Sequence, residues 1–241
     1  MKYLERFFRG NPSTYYFKSF TLTHFIILAI GLLGLIYLYR NRVYVSGKKW
    51  IINTIIYGLL IQQVLLYGWY AFSGYFTIQE SLPLFNCRIA IIALIVGYIF
   101  KLDKLKYIGM YWGFMGAIIA LLTPVLDPFG PDHYSYYSFF IGHLLLLWGS
   151  FYFLVVDKKA LTMGTLKDML LFTNVYHLIV LIFNTRINSN YCYLNKPPIL
   201  KDILGLIPST IYTMGIFIVF NLAIVGTHWG LKKFQEKKVN A

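Results

Sequence analysis

Charge is scarce in this chain: only 13% of its 241 residues are Asp, Glu, Lys or Arg, against about 25% in an ordinary soluble globule. Cysteine is scarcer still, with 2 residues, which excludes a disulfide scaffold. No long polar or low-complexity stretch marks disorder, no Gly-rich loop offers a phosphate cradle, and no repeat of fixed period suggests a solenoid. What fills the chain instead is apolar and aromatic: 58% hydrophobic residues, with Phe 20, Tyr 21 and Trp 5. A monomer this short cannot bury so much apolar surface against itself, so the surplus must meet lipid. The reading is a single membrane domain over residues 1–241, with no soluble part to carry a cofactor fold.

The acids number 9 against 22 Lys and Arg, a formal charge of +13. In a soluble protein that excess would suggest nucleic acid. In a membrane protein it first sets topology, so no nucleic-acid partner is expected. Apolar runs near the ~20 residues that cross a hydrocarbon core fall at 21–39, 50–72, 84–100, 106–126, 135–156, 166–185 and 204–229. This predicts an all-α polytopic bundle of about seven transmembrane helices. About twenty residues with aromatic and charged side chains precede the first run, so it reads as a retained span and not a cleaved signal.

Arg40, Arg42, Lys48 and Lys49, then Lys101, Lys104 and Lys106, then Lys158, Lys159 and Lys167 occupy alternate loops, and residues 230–241 read as a basic tail. The intervening loops carry Glu80, Asp127 and Asp132. The basic set belongs in the cytoplasm, which predicts N-out, C-in. Residues 1–19 are basic too, and their Leu4-Glu5-Arg6-Phe7-Phe8-Arg9 run reads as a short helix lying in the interface.

Polar groups in spans are costly and mark function or interhelical bonding. By depth, Cys87 and Arg88 lie near the outer mouth, His24 about one turn in and His143 about two. Cys87, at a helix start beside a cation, has the ingredients of an activated thiol, and a His on a facing helix would be its base. The same residues also suit blander roles: a small packing Cys, a disulfide from Cys87 to Cys192, or a buried neutral His. His177 shares a face with Thr173 and Asn174, suited to interhelical hydrogen bonds. His228 beside Trp229 reads as an interface anchor. The run from Asp127 to His133 has turn chemistry and lacks metal-ligand spacing, so no metal is expected. The loop Asn190-Tyr191-Cys192-Tyr193-Leu194-Asn195-Lys196 places amides and a cation at headgroup depth.

Three elements taken together, Leu82-Pro83-Leu84-Phe85-Asn86-Cys87-Arg88, Gly142-His143, and Asn190-Tyr191-Cys192-Tyr193-Leu194 with Lys196-Pro197, resemble the YwaF-type bacterial integral membrane proteins. Those proteins are related to the vertebrate transmembrane-protein-164 acyltransferase. The resemblance implies lipid acyl transfer through a cysteinyl ester, in a bacterial plasma membrane, with no nucleotide or metal cofactor. Cys87 would be the nucleophile and His143 its base. Arg88 with Asn190 or Lys196 would hold a lipid phosphate or the oxyanion, with Tyr191, His24 and His133 completing the substrate-contacting set. The family pattern reads Leu-Pro-Leu-His-Leu-Cys and Asn-Tyr-Met-Tyr-Leu, so Phe85 stands in place of a His and Cys192 in place of a Met. A proton-transfer task of that first His would here fall to His143, His24 or His133, or be lost. Two other functions fit the composition: a transport subunit with Gln62, Gln63, Tyr67 and Tyr70 around a solute cavity, and a non-catalytic assembly partner.

Overall fold

The computed structural model describes residues 2–13, 15, 17–156 and 161–236. Among these residues it is entirely helical, with α1 (Lys2–Phe7), α2 (Leu22–Arg40), α3 (Arg42–Ser46), α4 (Lys49–Phe72), α5 (Asn86–Ile99), α6 (Asp103–Leu122), α7 (Tyr134–Val156), α8 (Met163–Ile187), α9 (Lys201–Leu204) and α10 (Ser209–Glu236). Six of them, α2, α4, α6, α7, α8 and α10, are long and apolar enough to cross a membrane. The seventh expected span, α5, has 14 residues. It rises about 21 Å where the hydrocarbon core is about 30 Å thick, so its mouth end starts inside the bundle.

Proline sets two boundaries that apolarity alone misplaces. Helix α6 stops at Leu122, before Pro124, instead of running to residue 126. The last span begins after Pro208, which separates it from the short α9, where hydropathy put the start at residue 204. Residues 230–236, expected as tail, continue α10. Of the basic positions used for topology, Lys158, Lys159, Lys237 and Lys238 lie outside the described residues.

The core lies among α4, α5, α6 and α7, where Ile56, Leu59, Leu94, Met110, Trp112 and Leu146 are buried. Helix α6 presents a stripe of small residues to it. Gly109 meets Leu94 of α5, Gly113 meets Leu146 and Ser150 of α7, and Gly116 meets Cys87 of α5. Removing side chains along one helix face lets three backbones approach closely, and Ser150 Oγ donates to the Gly109 carbonyl at 3.0 Å.

The pair α8 and α10 joins this core through polar contacts, as the face carrying Thr173, Asn174 and His177 predicts. Asn174 and Asn221 exchange amide hydrogen bonds of 2.8 and 3.0 Å, and Trp112 Nε1 donates to Thr173 Oγ1 at 2.9 Å. His228 is not the interface anchor that its neighbour Trp229 suggests. It is wholly buried, with Nδ1 2.7 Å from the Tyr111 hydroxyl.

At the N-terminus helix α1 forms, and the residues after it pack on α4 and the α6–α7 connection at the mouth of the bundle. Arg6 and Arg9 both pair with Asp132, at 3.0 and 3.2 Å. Trp69 Nε1 donates to the Phe8 and Arg9 carbonyls, and Ser13 N donates to the Pro128 carbonyl. The α4–α5, α6–α7 and α8–α9 connections gather at this same pole.

Candidate active site

Site geometry starts at the opening turn of α5. The loop leading to it is clamped from two sides. Arg88 Nη1 donates to the Glu80 and Leu82 carbonyls at 2.9 and 3.1 Å, and its Nη2 to the Tyr70 hydroxyl at 2.7 Å. Tyr191 closes the other side: its hydroxyl donates to the Ile78 carbonyl at 2.7 Å and accepts from Leu82 N at 3.0 Å. Phe85 is the N-cap residue and has no side-chain oxygen to offer the helix. Its ring packs instead between Tyr191 and Tyr193, with the Arg88 guanidinium over it.

Cys87 is a free thiol, and so is Cys192, so the pairing of the two as a disulfide does not occur. The Cys87 sulfur lies against the bare Cα of Gly116, and Cys192 Sγ donates to the Leu84 carbonyl at 3.1 Å. Asn86 turns the other way and meets buried His177, Nδ2 to Nε2 at 2.9 Å. His177 stands in an aromatic enclosure of Trp112, Tyr176, Phe217 and Phe220.

Helix spacing from the contacts along α6 puts His143 near the level of Cys87. Gly113 faces Leu146 and Gly116 faces Cys87. One turn along each helix from the Gly113–Leu146 contact brings α6 to Gly116 and α7 to His143. His143 also feels the charge of Arg88. Its Nδ1 is 2.7 Å from the Phe139 carbonyl, four residues back. A carbonyl only accepts, so Nδ1 carries the proton and Nε2 keeps its lone pair, with no hydrogen-bond partner among the described residues.

Most of the other expected site residues are engaged by the protein itself. His24 is wholly buried, accepting from Phe20 N at Nδ1 and donating from Nε2 to the Leu121 carbonyl. His133 accepts from Ser135 N and donates to the Arg9 carbonyl, which leaves no nitrogen for substrate. Asn190 folds its own loop, accepting from Asn195 N and Lys196 N and donating to the Lys196 carbonyl. These three hold structure, where the sequence suggested substrate contact, and Tyr191 and Arg88 spend their hydrogen bonds on the loop before α5. Lys196 is exposed at the same pole. Asp127 lies near the Tyr70 hydroxyl and the Arg88 charge, and burial pushes its carboxyl above the usual range. Among the described residues no group of three His, Cys, Asp or Glu side chains is arrayed to hold a metal.

The solute cavity expected around α4 does not form from all four of its residues. Gln62 Nε2 donates to Ser138 Oγ at 2.8 Å, and Tyr70 serves Arg88. Sequence reasoning missed Asn86 and Gly116 as parts of the site. The small-residue spacing on α6 was a usable signal for Gly116, whereas nothing local in the sequence pairs Asn86 with His177, 91 positions away.

No curated protein and no solved structure matches the chain. The model of the TMEM164 family does, over residues 15–228, a span that takes in Cys87, His143 and the Asn190 loop. With most of its length matched, the chain belongs to the TMEM164 family.

Proposed function

We propose that this protein is a membrane-embedded lipid acyltransferase that carries the acyl group on Cys87. The observation that supports it best is the tautomer of His143. The bond from Nδ1–H to the Phe139 carbonyl leaves an unprotonated Nε2 lone pair near the depth of the Cys87 thiol.

In the first half-reaction Cys87 Sγ attacks the ester carbonyl carbon of a lipid. The new C–S bond forms as the thiol proton passes to His143 Nε2. The ester C–O bond then breaks, and the departing lipid alkoxide takes that proton from His143. In the second half a hydroxyl acceptor gives its proton to His143 while its oxygen attacks the thioester carbon. The C–S bond breaks and the thiolate recovers the proton from His143. With water as acceptor the same steps make a lipase. Phe85 at the N-cap offers the first turn of α5 no side-chain acceptor, and the positive end of the helix with the nearby Arg88 charge suits the oxyanion of both intermediates. The lysine distribution supports an outward-facing pole, and on this reading the substrate is a lipid of the outer leaflet.

Intact mass spectrometry before and after hydroxylamine tests the proposal. The purified protein incubated with a phospholipid should carry an acyl mass that hydroxylamine removes. Cys87→Ser should carry none, Cys192→Ser should keep it, and His143→Ala should form it about 10²- to 10⁴-fold more slowly, the usual contribution of a general base. Lipid turnover retained by Cys87→Ser, or lost only in step with folding in a melting curve, overturns it.

A further inference from the structure

Among the described residues, two buried polar groups on α4 have hydrogen-bonding capacity that the protein does not use. Gln63 is 6% exposed, yet no described residue donates to its Oε1, and the Tyr67 hydroxyl, close to the Arg88 guanidinium, finds no acceptor for its own proton among the described residues. Four residues apart on one helix, they stand one above the other on the same face. The direction of the Gln63 amide is set by a chain that begins on α7. Gln62 Nε2 lies near both Ser138 Oγ and the Ser138 carbonyl, and the carbonyl only accepts, so Gln62 presents its Oε1 to the other side. Gln63 Nε2 donates to that oxygen at 2.6 Å. The chain therefore ends on an open acceptor, and each bond in it polarises the next. A buried acceptor without a donor costs about 1–3 kcal/mol. That cost is recovered when a ligand brings the donor.

The chain of amides lies close to the sequence neighbours of the reacting groups. Gly142, the residue before His143, faces the Gln62 amide, where an added Cβ would stand 3.1–3.3 Å from its atoms. Tyr67 lies beside Arg88, the residue after Cys87. The neighbouring guanidinium repels an ammonium donor, so an uncharged hydroxyl suits the place.

We propose that Gln63 and Tyr67 seat the hydroxyl of the acyl acceptor. The inference rests on the acyl-transfer reading and deepens it. The acceptor O–H donates to Gln63 Oε1 on binding, and Tyr67 O–H donates to the acceptor's hydroxyl oxygen. That orients the alcohol toward the thioester until its proton passes to His143. On this view the seat favours transfer to an alcohol over hydrolysis.

The test uses the full chain in detergent with a labelled phospholipid donor and a lysophospholipid whose glycerol hydroxyl is free. Transfer product, free fatty acid and the Cys87 adduct are measured together for the wild type, Gln63→Leu and Tyr67→Phe. Both substitutions nearly preserve volume; Tyr67→Phe removes only a hydroxyl whose proton the fold leaves unused, so its melting temperature should hold or rise, whereas Gln63→Leu also takes the donor from Gln62 Oε1 and should melt a few degrees lower while still folding. The KM for the lysophospholipid should increase about tenfold, the value of one uncharged hydrogen bond. The acyl adduct should accumulate, because its consumption slows, and more of the acyl group should leave as fatty acid. Variants that form the adduct with the wild-type acceptor KM and the wild-type ratio of transfer to hydrolysis overturn the seat while sparing the cysteine mechanism. A wild-type protein that never forms the adduct overturns both.

Discussion

The Cys87 sulfur rests on Gly116, so closely that a Cβ added to that glycine would stand 2.8 Å from Sγ. Real side chains do not tolerate such a contact, and the thiol is the group free to move. Gly116→Ala should therefore displace Sγ from the level of His143. Within the helix the change itself favours folding by about 0.5–1 kcal/mol, which offsets part of the overpacking. The expected result is acylation of Cys87 slowed by at least about tenfold with little change in melting temperature. Wild-type acylation kinetics would show that the contact does not position the thiol.

Asn86 and His177 form the next testable pair, buried and joined at 2.9 Å. Asn86→Leu leaves the His177 ring without that partner, and His177→Phe does the same to the amide. Each should cost about 1–3 kcal/mol. The double variant Asn86→Leu/His177→Phe removes both polar groups and should cost clearly less than the sum of the two. A coupling of about 1–2 kcal/mol in chemical denaturation is expected. Strict additivity would show that the pair contributes nothing as a pair.

Acid should loosen the N-terminal segment in two steps. Burial holds His133 below its ordinary value near 6.5. A depressed folded-state value favours folding above about pH 6.5, and this contribution is lost as pH falls toward the folded value. Arg9, and to a lesser degree Arg6, hold the Asp132 carboxyl below its ordinary value through hydrogen bonds. That contribution is present above about pH 4 and disappears below it. Hydrogen exchange of residues 8–13, corrected for intrinsic rates, should accelerate first below about pH 6.5 and again below about pH 4. Asp132→Asn should abolish the second step only. Asp127 shifts the opposite way, so local exchange is a cleaner reading than global melting.

Topology is open to direct labelling. Ser46 and Glu80 are exposed at opposite ends of α4. In a background without other cysteines, Ser46→Cys should react only from the cytoplasm and Glu80→Cys only from outside. Ser81, next in sequence, is buried and would mislead. Reaction of both from one side would mean that α4 does not cross.

The sequence alone determined the solvent of this protein and the broad plan of its helices. Hydrophobic length is a local property, so six long helices and their approximate limits follow from runs of apolar residues and the prolines that end them. Cys87 beside Arg88, and His143, stood out for the same reason, because a nucleophile or base is costly within apolar surroundings. Only the tertiary structure decided which polar side chains remain available for chemistry. His24, His133, Tyr191 and Arg88 were equally plausible in the sequence, but each is consumed by backbone or side-chain atoms supplied by other segments, such as Leu121, Arg9, Ile78 and Tyr70. A backbone carbonyl accepts hydrogen bonds whatever residue carries it, so no residue type announces these partners. Whether a polar group in a membrane helix is spent or free therefore depends on which helices become neighbours, and packing at the small-residue faces of α6 settles that.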